Sequence, residues 1–361
     1  MEKYRVGIVG ATGMVGQRFI SLLKDHPWFE VNCVAASARS AGKTYREAVG
    51  ERWAFAWEIP EKVAGMTVVD AADIDEVSKH VDFVFCAVDM KKDEIRALEE
   101  AYAKHEIPVV SNNSACRGIE DVPMVVPEIN ADHLAVIEAQ KKRLGTKSGF
   151  IAVKPNCSIQ SYVPALTPLL DFEPEKVSVC TYQAISGAGK TFKTWPEMVD
   201  NLIPYIGGED EKSENEPLKL WGHVEDGKIV NAALPVISAQ CLRVACSDGH
   251  MAAVSVSFKK KPTIEQIKER WANYETEAQR LELPSAPKPF LQYFEDPSRP
   301  QTRLDRDFQN GFGVSIGRLR EDKLFDYRFV CLSHNTVRGA AGGGILTAEL
   351  LCRKGYIPHR V

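Results

Sequence analysis

The sequence predicts a two-part α/β architecture: a parallel sheet covered on both faces, then an α+β unit whose sheet is mainly antiparallel. Three observations predict it. Short apolar runs alternate with helical patterns over the first 157 residues, the pattern of a doubly wound sheet. Beyond Cys157 the apolar positions recur every second residue, which suits strands with one covered face. Glycines crowd the first strand-to-helix junction, in "GIVGATGMVGQRF". A chain of 361 residues also exceeds one compact core, so two domains are expected.

In the first part, apolar runs place strands at 5–9, 31–35, 67–69, 81–88, 109–111 and 150–153. Val15, Phe19, Leu22 and Leu23 recur at helical spacing after the first of them. In the second part, "SIQSYVPALTPLL" reads as a helix. Val177, Val179 and Thr181 line one face of a strand, and Val254, Val256 and Phe258 that of another. "GFGVSIGRLREDKLFDYRFVCLS" reads as a hairpin turning near Glu321 and Asp322, and "TIEQIKERWANYETEAQRL" as one helix with Thr263 as its N-cap. "NTVRGAAGGGILTAELL" closes the chain as a Gly-rich turn and an apolar helix that returns to the first domain. The highly charged "GGEDEKSENEPLK" reads as a solvated loop. The domains are accordingly 1–156 with 336–361, and 157–335.

Charge and cysteine usage exclude several classes of partner. A net charge of −4 argues against a nucleic-acid or anionic-membrane surface, which leaves small molecules as ligands. The nine cysteines are odd in number, scattered and never arranged as CxxC, so reduced thiols of a cytoplasmic protein are expected, with no disulfide framework and no metal site. The first strand begins at once, without the segments of a signal peptide, and no apolar run approaches the length of a membrane span.

Gly10, Gly13 and Gly16 let the backbone approach a pyrophosphate and leave helix N-terminal N–H groups to bind it, which points to a Rossmann-type dinucleotide site. The spacing is GxxGxxG and departs from the GxGxxG fingerprint. The second strand ends in "VAASARSAGK", with Ser37, Arg39 and Ser40 and no carboxylate, which favours NADP over NAD.

Cys157, in "VKPNCSIQS", falls between a strand and a helix, where N-terminal N–H groups are expected to lower a thiol pKa and make a nucleophile. His250 stands in an Asp-Gly-His turn ahead of a strand and is the acid/base candidate. Arg243 offers a planar fork for a carboxylate. "SNNSACRG" surrounds Arg117 with Asn112, Asn113 and Ser114 as a phosphate cradle, and "TYQAISGAGK" brings Gln183 toward the same region.

Nine segments, "GATGMVG", "SARSAG", "NNSACRG", "VPEIN", "KPNCS", "YQAISGAGK", "IPYIGGEDEK", "RVACSDGH" and "NTVRGAAGGG", together resemble the aspartate-semialdehyde dehydrogenase family, in its archaeal and fungal branch. The resemblance implies reversible, NADP-dependent reductive dephosphorylation of L-aspartyl 4-phosphate in lysine, methionine and threonine biosynthesis, by homodimers or homotetramers formed through the second domain. It implies Cys157 as nucleophile, His250 as acid/base and Gln183 as the group orienting the substrate. It assigns the substrate carboxylate to Arg243, its ammonium to Glu209, and its phosphoryl group to Lys212 and Arg117 with Asn112 or Asn113. It gives the pyrophosphate to the backbone of Gly10, Ala11, Thr12, Gly13, Met14 and Val15, the 2′-phosphate to Ser37, Arg39 and Ser40, and the nicotinamide carboxamide to Asn335, with Ser186 and Gly187 as further cofactor-binding positions. Malonyl-CoA reductase and N-acetyl-glutamyl-phosphate reductase share the fold and the thioester, and a non-catalytic NADP-binding regulator is the reading from another class.

Overall fold

A computed structural model describes residues 2–359. Tyr4–Val9 (β1), Phe29–Ala36 (β2), Val69–Asp70 (β3), Phe83–Cys86 (β4), Val109–Ser111 (β5) and Ile151–Val153 (β6) form one parallel sheet in the order β3-β2-β1-β4-β5-β6. The strand order reverses beside β1, the point at which such sheets open a crevice at their carboxyl ends. Helix α1 (Met14–Leu23) buries Phe19, Ile20 and Leu23 on the sheet, where Phe19 stacks on Phe85.

The opening glycines are sterically required. Gly10 has φ +90, and a Cβ there would lie 2.2 Å from the Ala87 carbonyl oxygen. A Cβ on Gly16 would lie 2.3 Å from the Gly10 oxygen. The GxxGxxG spacing is thus set by how closely α1 crosses the end of β1.

Helix α2 (Ile159–Leu166) leads from β6 into a second sheet of Pro174–Gln183 (β7), Leu202–Ile203 (β8), Val236–Val244 (β11), His250–Phe258 (β12), Leu291–Phe294 (β13), Val314–Glu321 (β14) and Tyr327–Ser333 (β15). Between β8 and β11 lie helix α3 (Glu209–Leu220) and a hairpin of His223–Glu225 (β9) and Lys228–Val230 (β10). The seven strands run β13-β14-β15-β12-β7-β11-β8. Pairs β14/β15, β15/β12, β12/β7 and β11/β8 are antiparallel, whereas β7/β11 and β13/β14 are parallel, so the sheet is mixed.

Alternation in β12 buries His250, Ala252, Val254, Val256 and Phe258 on one face, and β7 buries Val177, Val179, Thr181 and Gln183 on the same side. The apolar rows end in polar residues at one end of the sheet. Helix α2 packs over this face, which brings its amino end to that same margin. Helix α4 (Gly342–Arg353) returns to the parallel sheet, with Ile345, Leu346 and Leu350 in one core with Val6, Ile8 and Phe19.

Two expectations fail for identifiable reasons. The single helix expected over 263–281 is two, Ile264–Ala272 and Glu277–Arg280, each with its own capping box, at Thr263 and at Thr276. Ile267 and Trp271 pack in the core of the second sheet, but Ala278 and Leu283 pack in that of the parallel sheet, and one straight helix cannot serve both. The charged segment expected as a solvated loop is α3. It buries Glu209, Ser213, Pro217 and Leu220 along one stripe, and its acidic first turn suits the positive end of the helix dipole.

Gly10→Ala is expected to lower stability by about 2 kcal/mol or more, through left-handed strain and overpacking against Ala87. Denaturant melts would measure it. A midpoint equal to that of the unaltered chain would contradict the steric account.

Candidate active site

At the margin where the second sheet meets β6, Cys157 Sγ lies 3.4 Å from His250 Nε2. The sulfur is fixed from below: a Cβ on Gly339 would sit 2.8 Å from the Cys157 Cβ. His250 Nδ1 accepts the Ala184 N–H at 3.1 Å. That bond places the proton of the neutral ring on Nε2, so the imidazole donates toward sulfur in the resting site. Burial and the neighbouring Arg243 hold the His250 pKa well below its ordinary value, which keeps the ring neutral.

The Cys157 pKa contradicts the expectation from helix position. Burial raises it and the Glu209 carboxylate adds to the rise, against Lys154, Arg117 and Arg243. No N–H of α2 reaches Sγ among the described hydrogen bonds; the first-turn bond from Gln160 N–H goes to the Cys157 carbonyl instead.

Arg243 and Gln183 are register partners on adjacent strands. Arg243 Nη1 donates to the Ala184 carbonyl (2.8 Å), so the main chain of one residue holds both Arg243 and His250. Gly187 lies against the pair, since a Cβ there would be 2.8 Å from Arg243 Nη1 and 3.0 Å from His250 Nε2. Gln183 faces Glu209, donating to its Oε2 at 3.2 Å, rather than Cys157.

Glu209 is buried at the start of α3, where Lys212 Nζ (2.8 Å) and Asn156 Nδ2 (3.0 Å) also donate to it. Burial opposes its charge, yet these donors leave its pKa below the ordinary carboxylate value. Three other carboxylates of that segment are excluded from its place. Asp210 and Glu214 accept the main-chain N–H groups of Cys241 and Ala239, and Glu211 is exposed on the wall of the cavity that Arg117 and Lys212 line.

The two asparagines after β5 separate in the same way. Asn113 Nδ2 is committed to the buried Glu99 (2.9 Å), whereas both polar atoms of the Asn112 amide are buried without a hydrogen-bond partner. Arg117 donates to the Asn112 carbonyl (3.1 Å) and to Glu216 Oε1 (2.9 Å), while Glu216 Oε2 accepts the Asn156 N–H. A cavity of ≈ 600 Å³ opens beside Arg117, Lys212 and Glu216.

On the nucleotide side, Gly13 caps α1 without a side-chain bond, leaving the first N–H groups open to an anion. A groove of ≈ 570 Å³ lined by Thr12, Met14, Gly189 and Thr191 begins there, and a smaller one of ≈ 160 Å³ carries Met14 and Thr191 on to Ser186 and Thr336. Gly10, Ala11 and Val15 belong to the same turn and helix start. Ser37 and Arg39 are exposed at the end of β2, and Ser40 is buried. The Asn335 amide bridges Ser186 Oγ and the Gly249 N–H, both at 2.8 Å. These residues suit a dinucleotide laid from α1 toward Cys157. No group of three metal-ligating side chains occurs among the described residues.

Sequence reasoning assigned nothing to Lys154, Asn156, Glu216 or Lys219. Lys154 and Asn156 lie within the "KPNCS" stretch that marked the nucleophile, but the reach of Glu216 and Lys219 depends on a helix that their charge density disguised. Lys219 Nζ donates to the carbonyls of Arg117, Ile119 and Val122 and so supports the Arg117 loop.

A nucleotide-type parallel sheet beside a partly buried Cys–His pair defines an NAD(P)-dependent dehydrogenase. Residues 5–137 match the family "Semialdehyde dehydrogenase, NAD binding domain", and residues 166–338 match "Semialdehyde dehydrogenase, dimerisation domain". Aspartate-semialdehyde dehydrogenase of Schizosaccharomyces pombe is 45% identical over 98% of this chain and 99% of its own. That of Archaeoglobus fulgidus is 43% identical over 98% of this chain and 100% of its own. The crystal structure of the Candida albicans enzyme with NADP superposes with a TM-score of 0.89, at 39% identity over 99% of this chain and 100% of that one. The chain belongs to the aspartate-semialdehyde dehydrogenase family of oxidoreductases.

With the thiol raised and His250 neutral, alkylation of Cys157 by iodoacetamide in the free protein is expected to accelerate through pH 9 without an inflection near pH 6.5. Peptide mass spectrometry across a pH series reads this directly. A plateau already reached by about pH 8 would contradict the assignment.

Proposed function

We propose that the chain catalyses reversible reductive dephosphorylation of L-aspartyl 4-phosphate to L-aspartate 4-semialdehyde with NADPH, through a thioester on Cys157. The observation that carries it is the 3.4 Å contact between Cys157 and His250 at the margin shared with Arg243, Glu209 and Arg117.

Arg243 takes the substrate carboxylate in its planar fork, and Glu209 takes the ammonium. Pairing Glu209 with a cation cancels the main charge opposing the thiolate, so substrate binding itself promotes ionisation of Cys157, whose proton passes to solvent. Sulfur then attacks the acyl carbon, the C–S bond forms, and the C–O bond to phosphate breaks beside Arg117, Lys212 and Asn112. Bound in the groove from Gly10–Val15 to Ser186, Gly187 and Asn335, with Ser37, Arg39 and Ser40 at its 2′-phosphate, NADPH supplies the hydride. His250 holds the developing oxyanion through its Nε2–H hydrogen bond; as the C–S bond breaks, the oxyanion closes to the aldehyde carbonyl and the electron pair returns to sulfur, so the ring stays neutral, while Gln183 steadies the Glu209 end of the substrate. Fixing three charged groups of the substrate orients its acyl carbon on the sulfur.

The division at 1–156 with 336–361 against 157–335 is the reading supported by the return of α4 to the parallel sheet. A homodimer through the second sheet is supported by the dimerisation-family match and by exposed apolar side chains near its β8/β11 edge, Val199, Leu202, Tyr205, Leu234 and Val236. A tetramer would pair such dimers. No helix among the described residues is long and apolar enough to cross a membrane, and a cytoplasmic setting accords with the free thiols.

Cys157→Ser is expected to lower phosphate-dependent NADP reduction by aspartate semialdehyde by about 10³-fold or more, with NADP affinity nearly unchanged. Steady-state kinetics with a fluorescence titration checks both; equal turnover removes the nucleophile. Leu234→Asp combined with Val236→Asp is expected to shift the sedimenting species from dimer to monomer, and an unchanged dimer would move the interface elsewhere.

A further inference from the structure

Lys154 is a buried cation that the reaction as derived above leaves without a role. It lies one residue beyond β6, and its main-chain N–H donates to the Ser111 carbonyl (3.0 Å), so it stands beside Asn112 where the two strands end. The Lys154 and Asn112 side chains run along the same glycine turn. A Cβ on Gly343 would meet the Lys154 Cδ at 3.8 Å, and one on Gly344 would meet Asn112 Oδ1 at 3.1 Å. Glu216 draws Arg117 to the same place, because its two oxygens hold the Arg117 guanidinium and the Asn156 N–H between Lys154 and Cys157.

The result is a concentration of unspent donors next to the sulfur. Lys154 has three N–H donors and one acceptor, the Pro155 carbonyl. Arg117 Nε and both polar atoms of the Asn112 amide are buried without partners. Two cations that share Glu216 as their near counter-charge, beside an amide whose polar atoms are buried without partners, favour the entry of an anion among them. The anion that the reaction generates there is phosphate.

Its departure poses a proton problem. Breaking the C–O bond of an acyl phosphate dianion leaves a phosphate trianion, far too basic to leave unaided near neutral pH. His250 has its one ring proton directed at Sγ. We propose that Lys154 is the general acid for the leaving phosphate and, in the reverse direction, the general base for the incoming one. In the forward step the C–S bond forms, the C–O bond breaks, and an N–H proton of Lys154 passes to the departing oxygen, giving hydrogen phosphate and a neutral amine. The reverse step returns the proton to Lys154 as phosphate attacks the thioester.

The surroundings suit that task. Burial and the Arg117 charge lower the Lys154 pKa to about 7, against Cys157, Glu216 and Glu209; His250, on β12, is the remaining titratable neighbour. A group balanced near neutrality both gives and takes a proton readily. The acid form is lost as pH rises through about 7, and the base form is lost as pH falls below it.

This inference rests on the thioester reading of Cys157, and the test separates the two. The full-length chain and its Lys154→Met and Lys154→Arg variants would be compared in the phosphate-dependent reaction and in stoichiometric acylation by 4-nitrophenyl acetate, whose leaving group departs without a proton. Lys154→Arg, which keeps the charge that supports the thiolate but gives up no proton, is expected to hold its ester burst and its KM for phosphate near the original values and to lose about 10²-fold or more in kcat with phosphate. Lys154→Met is expected to lose kcat with phosphate together with the pH limb near 7. A parallel fall of both reactions in Lys154→Arg places Lys154 on the sulfur or the fold and overturns the proposal. Unchanged kcat, or a pH limb that survives in Lys154→Met, overturns it as well. An unaltered chain that shows the ester burst but no phosphate-dependent turnover overturns the substrate reading, and this inference with it.

Discussion

Asn156 is held between two carboxylates of one helix, and the arrangement of every reactive group depends on that clamp. Glu209 takes its side-chain amide and Glu216 its main-chain N–H. The residues are seven apart on α3, two turns, so they face the same way and span about 10 Å along the axis. The chain that passes between them has one conformation available. Its neighbour Cys157 is thereby set against Gly339, while the Asn156 carbonyl oxygen of the side chain turns inward to accept both the N–H and the hydroxyl of Ser158. The same two carboxylates also bind Lys212 and Arg117, so the clamp and the anion-binding groups are parts of one network.

The electrostatic design of the site follows from burial. Cations from four segments, Arg117, Lys154, Lys212 and Arg243, converge on a space that holds Glu209 and Glu216 as fixed counter-charges. A buried guanidinium with an unpaired Nε and a thiol raised above its normal range are costs that a globular core has no reason to carry. They become intelligible as a site prepared for a substrate that brings one positive and several negative charges.

Much of the scaffold was legible in the residues because its signals are local. Steric need shows in Gly10 and Gly16, and strand period shows in Val254, Val256 and Phe258, without any knowledge of partners. The strand-to-helix position of Cys157 was also readable, but its acidity was not. A helix start suggests a lowered pKa, and only the fold reveals that Glu209, far along the chain, opposes it. Charge density misled in 207–219, since a stripe made of Ser213, Pro217 and Leu220 is weakly apolar and two further buried members, Glu209 and Lys219, are charged. The helix expected over 263–281 failed for a complementary reason: each half matches a different core, information that resides in the packing of two sheets.

Glycine lines the reactive groups in two places. Gly339 presses on the Cβ and main chain of Cys157, and Gly187 lies against the Arg243–His250 pair. A side chain at either position would displace the groups that do the chemistry. The one margin built from long, replaceable side chains is that of α3, and natural divergence or deliberate redesign of acyl preference would therefore have to proceed along that helix.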